Sequence, residues 1–230
     1  MSREILVITP MHEEFTFFAR TCLDLGYQGE NNTYGRSAAI SYPSLELVLA
    51  IGGTGKVQFA VQTQHLLDSG IEPALVICAG AAGALVEDLS VGDVIIGENT
   101  VEHDIREGFI NKQLPVYTAD ESIVESFLAI SPETEDFQVH RGTIASGDED
   151  IVGFERRKEL YETTGAVAVA WEGAGGARAC RFSAVDFIEI RGITDGADPN
   201  AAEDFEKNLH IAVTNIARFI ILWINKRLKV

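Results

Sequence analysis

Short apolar runs rich in β-branched residues alternate along the chain with longer segments whose apolar positions fall three or four apart. The run ILVIT at 5–9, bounded by Pro10, predicts a first strand, and EEFTFFARTCLDLG at 13–26 predicts a helix closed by a glycine. SAAISY (37–42) and LELVLAI (45–51) predict a strand pair, and GKVQFAVQTQHLLDSG (55–70) a second helix with glycine at its end. Five later runs predict further strands: ALVICAG (74–80), DVIIGENTV (93–101), VHRGTIAS (139–146), AVAVAW (166–171) and VDFIEIRGI (185–193). In the last of these, Ile188 and Ile190 alternate with Glu189 and Arg191. A long final helix is predicted from about Ala201 to Leu228, its stripe formed by Phe205, Leu209, Val213, Ile216, Ile220 and Ile224.

This alternation predicts an α/β fold, a three-layer α/β/α arrangement around a mixed, mostly parallel central sheet. No linker-like tract, low-complexity block or internal repeat divides residues 1–230, so a single domain is expected. In such folds ligands bind beyond the carboxyl ends of the strands.

Composition narrows the function classes. Apolar residues make up 46% of 230, enough for a sizeable core. A formal charge of -17 argues against nucleic acid and against an anionic membrane surface, and reads as a solvated acidic face. Cys22, Cys78 and Cys180 are scattered, as expected of reduced thiols in the cytoplasm. MSREILVITP carries no evident signal peptide, and FIILWI is too short to span a bilayer, so no membrane association is expected.

The predicted strand ends carry acids or glycine clusters: TPMHEEF (9–15), IGGTGKV (51–57), CAGAAGAL (78–85), ASGDEDIV (145–152), WEGAGGA (171–177) and TDGAD (194–198). The spacing before Lys56 and the lack of a following Ser or Thr exclude a Walker A loop, and neither GGTGK nor GAAGA completes G-x-G-x-x-G. Taken alone, these clusters read as tight turns and close strand–helix contacts. His103 and Asp104 lack companions at metal-ligand spacing, so no metal site is expected. Ser146 sits in no nucleophile elbow. Asp195 has two readings from its own stretch: a turn or helix-capping acid, or a carboxyl reaching a ligand crevice.

In order along the chain, MHEE (11–14), GTGKV (53–57), AGAAGAL (79–85), VGDVII (91–96), HD (103–104), QLP (113–115), ASGD (145–148), WEGAG (171–175) and RGITDGAD (191–198) resemble the nucleoside phosphorylase/nucleosidase superfamily. Within it they are most like the methylthioadenosine/S-adenosylhomocysteine nucleosidases. The resemblance implies a nucleoside phosphorylase-like fold and cleavage of a purine N-glycosidic bond, with no cofactor. That reaction needs a proton on the leaving base, negative charge near an oxocarbenium-like ribose, and a nucleophile at the anomeric carbon. The resemblance implies Asp195 as the general acid, Glu14 as the group that activates water, and Glu172 as acceptor of the ribose hydroxyls. Arg191 is expected to pair with Glu14 and hold it ionised. Ala81, Gly83, Asp150, Ile151, Trp171 and Phe205 are expected around the substrate, and Asp198 is expected to be structural.

Four positions depart from the nucleosidase pattern: Trp171 stands for Met, Asp150 for an aromatic residue, Ala81 for Ser and Glu107 for an apolar residue. Two alternatives therefore stay open, phosphorolysis with Lys56 and Arg20 as phosphate ligands, and a nucleoside-binding protein that has lost turnover. The resemblance further implies a homodimer in which the segment from His103 to Pro115 closes the partner's pocket.

Overall fold

The computed structural model describes residues 4–105, 113–130 and 136–229. The chain runs β1 (Ile5–Thr9), α1 (His12–Asp24), β2 (Glu30–Tyr34), β3 (Ser37–Tyr42), β4 (Leu47–Ile51), α2 (Lys56–Asp68), β5 (Leu75–Ala84), β6 (Val94–Glu102) and β7 (Val116–Thr118). It continues through α3 (Glu121–Leu128), β8 (Val139–Ser146), α4 (Phe154–Thr164), β9 (Ala168–Ala170), α5 (Gly173–Phe182), β10 (Phe187–Asp195) and α6 (Ala201–Leu228).

One sheet holds all ten strands. The ten-residue β5 is its hub: it runs parallel to β1 and β10 and meets β9 antiparallel at its far end. Pairings β5–β10, β10–β6, β6–β8, β8–β9 and β9–β5 close a circuit, which leaves those strands no free edge. The sheet is mixed, as expected, with five parallel and five antiparallel pairings among the described residues, and its longest ladders, β5–β10 and β6–β8, are parallel. Closing the circuit reverses β6 against β10 and β9 against β5, a direction that strand–helix alternation does not encode.

The helices cover two faces. Ile5 and Val7 of β1 pack with Phe18 of α1, Phe127 of α3 and Phe219 of α6. Leu6 and Ile8 point the other way, toward Phe59 and Leu66 of α2 and Cys180 of α5. A period-2 strand buried on both faces reads as a continuous apolar run, as ILVIT does. Burial of each large apolar side chain contributes about 1.5–3 kcal/mol, and Phe127 also stacks on Trp223 at 4.2 Å between centroids.

α5 is absent from the sequence expectations because three of the first four residues of GAGGARACRF are glycine, a poor helix former. Packing overrides propensity there. A Cβ at Gly175 would overlap the Lys56 carbonyl of α2, and one at Gly173 would overlap the Glu189 carboxylate. β10 alternates apolar and charged residues in sequence yet is buried on both faces: Glu189 and Arg191 are each 1% exposed. Asp198 is structural, as expected: its side chain accepts from Asn200 N–H at 2.7 Å and its carbonyl from Ala201 N–H at 3.0 Å, which opens α6.

Candidate active site

A cavity of about 480 Å³ opens where β1, β8, β9 and β10 end and where β5 passes its midpoint. Asp195, Glu14, Arg191, Glu172, Trp171, Ile151, Asp150, Ala81, Gly83 and Phe205 all line it, although they come from six separated segments. Among the described residues, six that line it are acids (Glu14, Glu149, Asp150, Glu172, Asp195, Glu206), and Arg191 is the one basic lining residue.

Glu14 sits in the first turn of α1, where the helix dipole favours an acid. It is nonetheless 2% exposed. Its carboxylate accepts Met11 N–H at 2.8 Å and Ala81 N–H at 2.8 Å. Burial pushes its pKa up to about 7, against the lowering by the Ala81 N–H, and the nearby Glu172 pushes the same way. The contact with Ala81 uses the backbone, so the methyl group in place of a serine hydroxyl leaves it intact. Neighbouring Glu13 is exposed in the same turn.

Arg191 does not pair with Glu14. Its Nε donates to Glu189 Oε1 at 2.9 Å, Nη2 meets the same oxygen at 2.9 Å, and Nη1 and Nη2 each reach Glu172 Oε2 at 3.4 Å. Nη1 also donates to the Ala81 carbonyl at 3.3 Å. The expectation that Arg191 holds Glu14 ionised is therefore corrected: the guanidinium draws Glu14 down only weakly, because Glu189 and Glu172 occupy its fork. Burial opposes its charge, yet Cys78, Glu189, Glu172 and Glu14 together hold its pKa above the ordinary arginine value.

Glu172 occupies the N-cap position of α5 without a side-chain capping bond, and its carboxylate instead accepts Gly55 N–H at 3.1 Å. Burial raises its pKa, while Arg191 and Gly55 N–H oppose the rise. Gly55 has φ 81°, in the region that favours glycine, so GGTG is the expected tight turn. The turn is fastened from behind: Lys56 N–H donates to Asp148 at 2.8 Å, and Asp148 N–H to Asp104 at 2.9 Å. Lys56 Nζ pairs with Glu102 at 3.0 Å and also with Asp104.

Asp195 ends β10, 9% exposed. It accepts the Thr194 hydroxyl at 2.7 Å and Ala197 N–H at 2.9 Å. Burial raises its pKa in spite of those two donors, with Asp204 and Asp198 adding to the rise. The stretch GAAGA, expected to be a turn, is instead strand, and its glycines make room. A Cβ at Gly80 would lie 2.8 Å from Glu14 Oε1 and 2.9 Å from Arg191 Nη1.

Ile151 is buried in the cavity wall, whereas Asp150 is exposed at its rim and Trp171 is half-buried. Ser146 is not a nucleophile: its hydroxyl donates to the Trp171 carbonyl at 2.7 Å and accepts Ala174 N–H at 3.0 Å, fastening the end of β8 to the β9–α5 connection beside Glu172. His103 is buried, its Nδ1 3.8 Å from Glu149 Oε2, and burial lowers its pKa. Arg20 lies exposed on α1 beside Asp24, and neither it nor Lys56 lines the cavity, which removes the two candidate phosphate ligands. Glu107 lies outside the described residues, as does most of the 103–115 segment. Thr194 and Glu189 were not anticipated. The spacing Glu-x-Arg at 189 and 191 was the available signal, since residues two apart share a strand face.

The family model of the phosphorylase superfamily matches residues 4–224. The chain is similar to the 5′-methylthioadenosine/S-adenosylhomocysteine nucleosidase of Bacillus pumilus, 31% identical over 242 residues that cover 97% of this chain and 99% of the relative. Among solved structures it resembles futalosine hydrolase of Helicobacter pylori, 27% identical with TM-score 0.85, covering 98% of this chain and 99% of that one. It also resembles the 5′-methylthioadenosine/S-adenosylhomocysteine nucleosidase from Neisseria meningitidis in complex with methylthio-immucillin-A, 29% identical with TM-score 0.85, covering 97% and 99%.

Proposed function

The chain belongs to the phosphorylase superfamily, and from that premise we propose that it is a purine nucleosidase. It hydrolyses the N-glycosidic bond of a 5′-modified adenosine, of the methylthioadenosine or S-adenosylhomocysteine type, to free adenine and the ribose derivative. The observation that carries this reading is the convergence of three buried carboxyls, Glu14, Glu172 and Asp195, on one cavity.

Each carboxyl has a distinct task. Asp195, whose pKa burial raises, gives its proton to the purine as the bond to the anomeric carbon breaks and the bonding pair leaves with the base. Glu172 accepts hydrogen bonds from the ribose hydroxyls, and its negative charge favours the oxocarbenium-like ribose. Glu14 takes a proton from water as the water oxygen bonds to the anomeric carbon. Protons then redistribute through solvent, from Glu14 back to Asp195, and the cycle closes. The remaining named residues, Trp171, Ile151, Asp150, Ala81, Gly83 and Phe205, shape the walls.

Water rather than phosphate is the nucleophile in this reading. Six acids face one guanidinium in the cavity, and that guanidinium is already committed to Glu189 and Glu172. A phosphate dianion entering there meets like charge without a free fork to hold it. The reading extends to a homodimer acting in the cytoplasm, in methionine salvage. The three buried free thiols support a reducing compartment. No helix among the described residues is long and apolar enough to cross a membrane.

The test is free-adenine release from methylthioadenosine, S-adenosylhomocysteine and futalosine in phosphate-free buffer. We expect release from at least one of the first two, at a rate that added phosphate leaves unchanged. No base release from any of a panel of purine nucleosides sinks the reading, and ribose 1-phosphate formation that requires phosphate replaces it with phosphorolysis. Light scattering at micromolar concentration checks the dimer.

A further inference from the structure

We propose that Glu189 is a positioning residue for the hydrolytic step: it anchors the Arg191 guanidinium on the Glu172 side of the site, so that Glu14 is left without an ion-pair partner and stays available as a base. The inference rests on the role of Glu14 proposed above.

The geometry is that of a carboxylate built in for this purpose. Glu189 is 1% exposed and does not line the cavity, so it cannot touch the substrate. One oxygen takes the Arg191 edge, with Nε and Nη2 both at 2.9 Å. The other accepts the Thr100 hydroxyl. The carboxylate is thereby fixed on both oxygens, and Gly173 provides its space, because a Cβ there would overlap it. With its edge held, the planar fork turns its Nη atoms to Glu172 and to the Ala81 carbonyl.

The consequence falls on Glu14. Gly80 sits between Glu14 Oε1 and Arg191 Nη1, and its missing Cβ leaves a gap that a loosened guanidinium can cross. The charged or titratable groups around this gap are Glu14 from α1, Cys78 from β5, Glu172 at the start of α5, and Glu189 and Arg191 from β10. Three buried carboxylates stand around one guanidinium, which pairs with Glu189 and Glu172. An arginine that swung onto Glu14 would hold it as an ionised carboxylate of ordinary or lower basicity, a poor acceptor for the proton of water.

The experiment is Glu189→Gln, nearly isosteric and still able to accept from Arg191 and to meet Thr100. Two readouts are taken on the folded variant: the crystallographic position of the Arg191 guanidinium, and the titration of the Glu14 carboxyl by carbon-13 NMR, assigned through Glu14→Gln. We expect the guanidinium to shift toward Glu14, and the Glu14 titration to move down by about one pH unit or more. The acid limb of kcat/KM for adenine release should move with it, and kcat should fall more than KM changes. Thr100→Val, which frees one Glu189 oxygen, should move the same readouts in the same direction by less, and it carries the test if Glu189→Gln does not fold. A guanidinium that stays on Glu172 with an unmoved Glu14 titration overturns the proposal. Wild-type protein that releases no base overturns instead the role of Glu14, while the titration and the guanidinium position still decide what Glu189 does.

Discussion

Asp195 and Gly83 are partners across the parallel β10–β5 pair, and a Cβ on residue 83 would fall 2.8 Å from Asp195 Oδ1. The glycine thus sets where the acid can stand. Gly83→Ala should push the carboxyl off its bonds to Thr194 and Ala197. We expect kcat to fall about tenfold or more, with about 1–3 kcal/mol of stability lost to overpacking. Steady-state kinetics with a urea melt checks this, and undiminished kcat would mean that the acid tolerates displacement.

Asp195→Asn keeps the shape and cannot deliver a proton. Turnover should fall by about 10²-fold or more, with a smaller change in KM. In the wild type, whose Asp195 pKa is raised by burial, activity should decline on the alkaline side as the acid loses its proton. A capping acid would behave differently, since Asn caps about as well as Asp. Near-normal turnover in the variant, measured as adenine release, would return Asp195 to that structural role.

Glu14 couples stability to pH. Its pKa rises from 4.5 in the unfolded chain to about 7 in the fold, so the native state binds the proton more tightly. Below 4.5 both states are protonated and nothing is lost. As pH climbs to about 7 the native state gives up its advantage, and Glu14's contribution to stability falls by roughly 3 kcal/mol. Glu14→Gln should remove this slope as well as turnover. Urea midpoints for both proteins across that window are the measurement. Parallel curves would mean that Glu14 does not titrate there.

Ser146→Ala should act on Glu172 from a distance. It deletes the donor to the Trp171 carbonyl and the acceptor of Ala174 N–H, which together clamp the segment that carries Glu172. We expect a loss of about 1–3 kcal/mol and a raised KM, because the ribose acceptor is loosened rather than removed. A nucleophilic serine would instead give a near-complete loss of kcat at unchanged KM.

Much of this was legible before any tertiary contact was known. ILVIT, SAAISY and VHRGTIAS mark β1, β3 and β8 to within a residue, and the apolar stripe of α6 marks its full length, because a strand's or helix's periodicity repeats within the element itself. The acids of the site stand at strand ends in a recognisable order. α5 was illegible, since three of its ten residues are glycines whose value lies in what they avoid: the Lys56 carbonyl, the Glu189 carboxylate and the Phe59 and Phe187 rings. Glu189 carried no assigned role in the sequence, because nothing local to FIEIRGI reveals that its carboxylate meets Arg191 and Thr100 inside the fold.

The sequence by itself determined the α/β alternation, the long closing helix and, through its resemblance to a family, the ten residues that meet at one cavity. Only the tertiary structure decided which partner each charge takes: Arg191 on Glu189 and Glu172, Lys56 on Glu102 and Asp104, and Glu14 on two backbone N–H groups. The reason is physical. Periodicity follows from backbone geometry over a few residues, whereas a carboxyl's partner and proton affinity follow from the dielectric and the charges around it. Those surroundings are assembled here from strands and helices nearly two hundred residues apart, so that Glu14 near the start of the chain is tuned by Glu172 and Arg191 near its end.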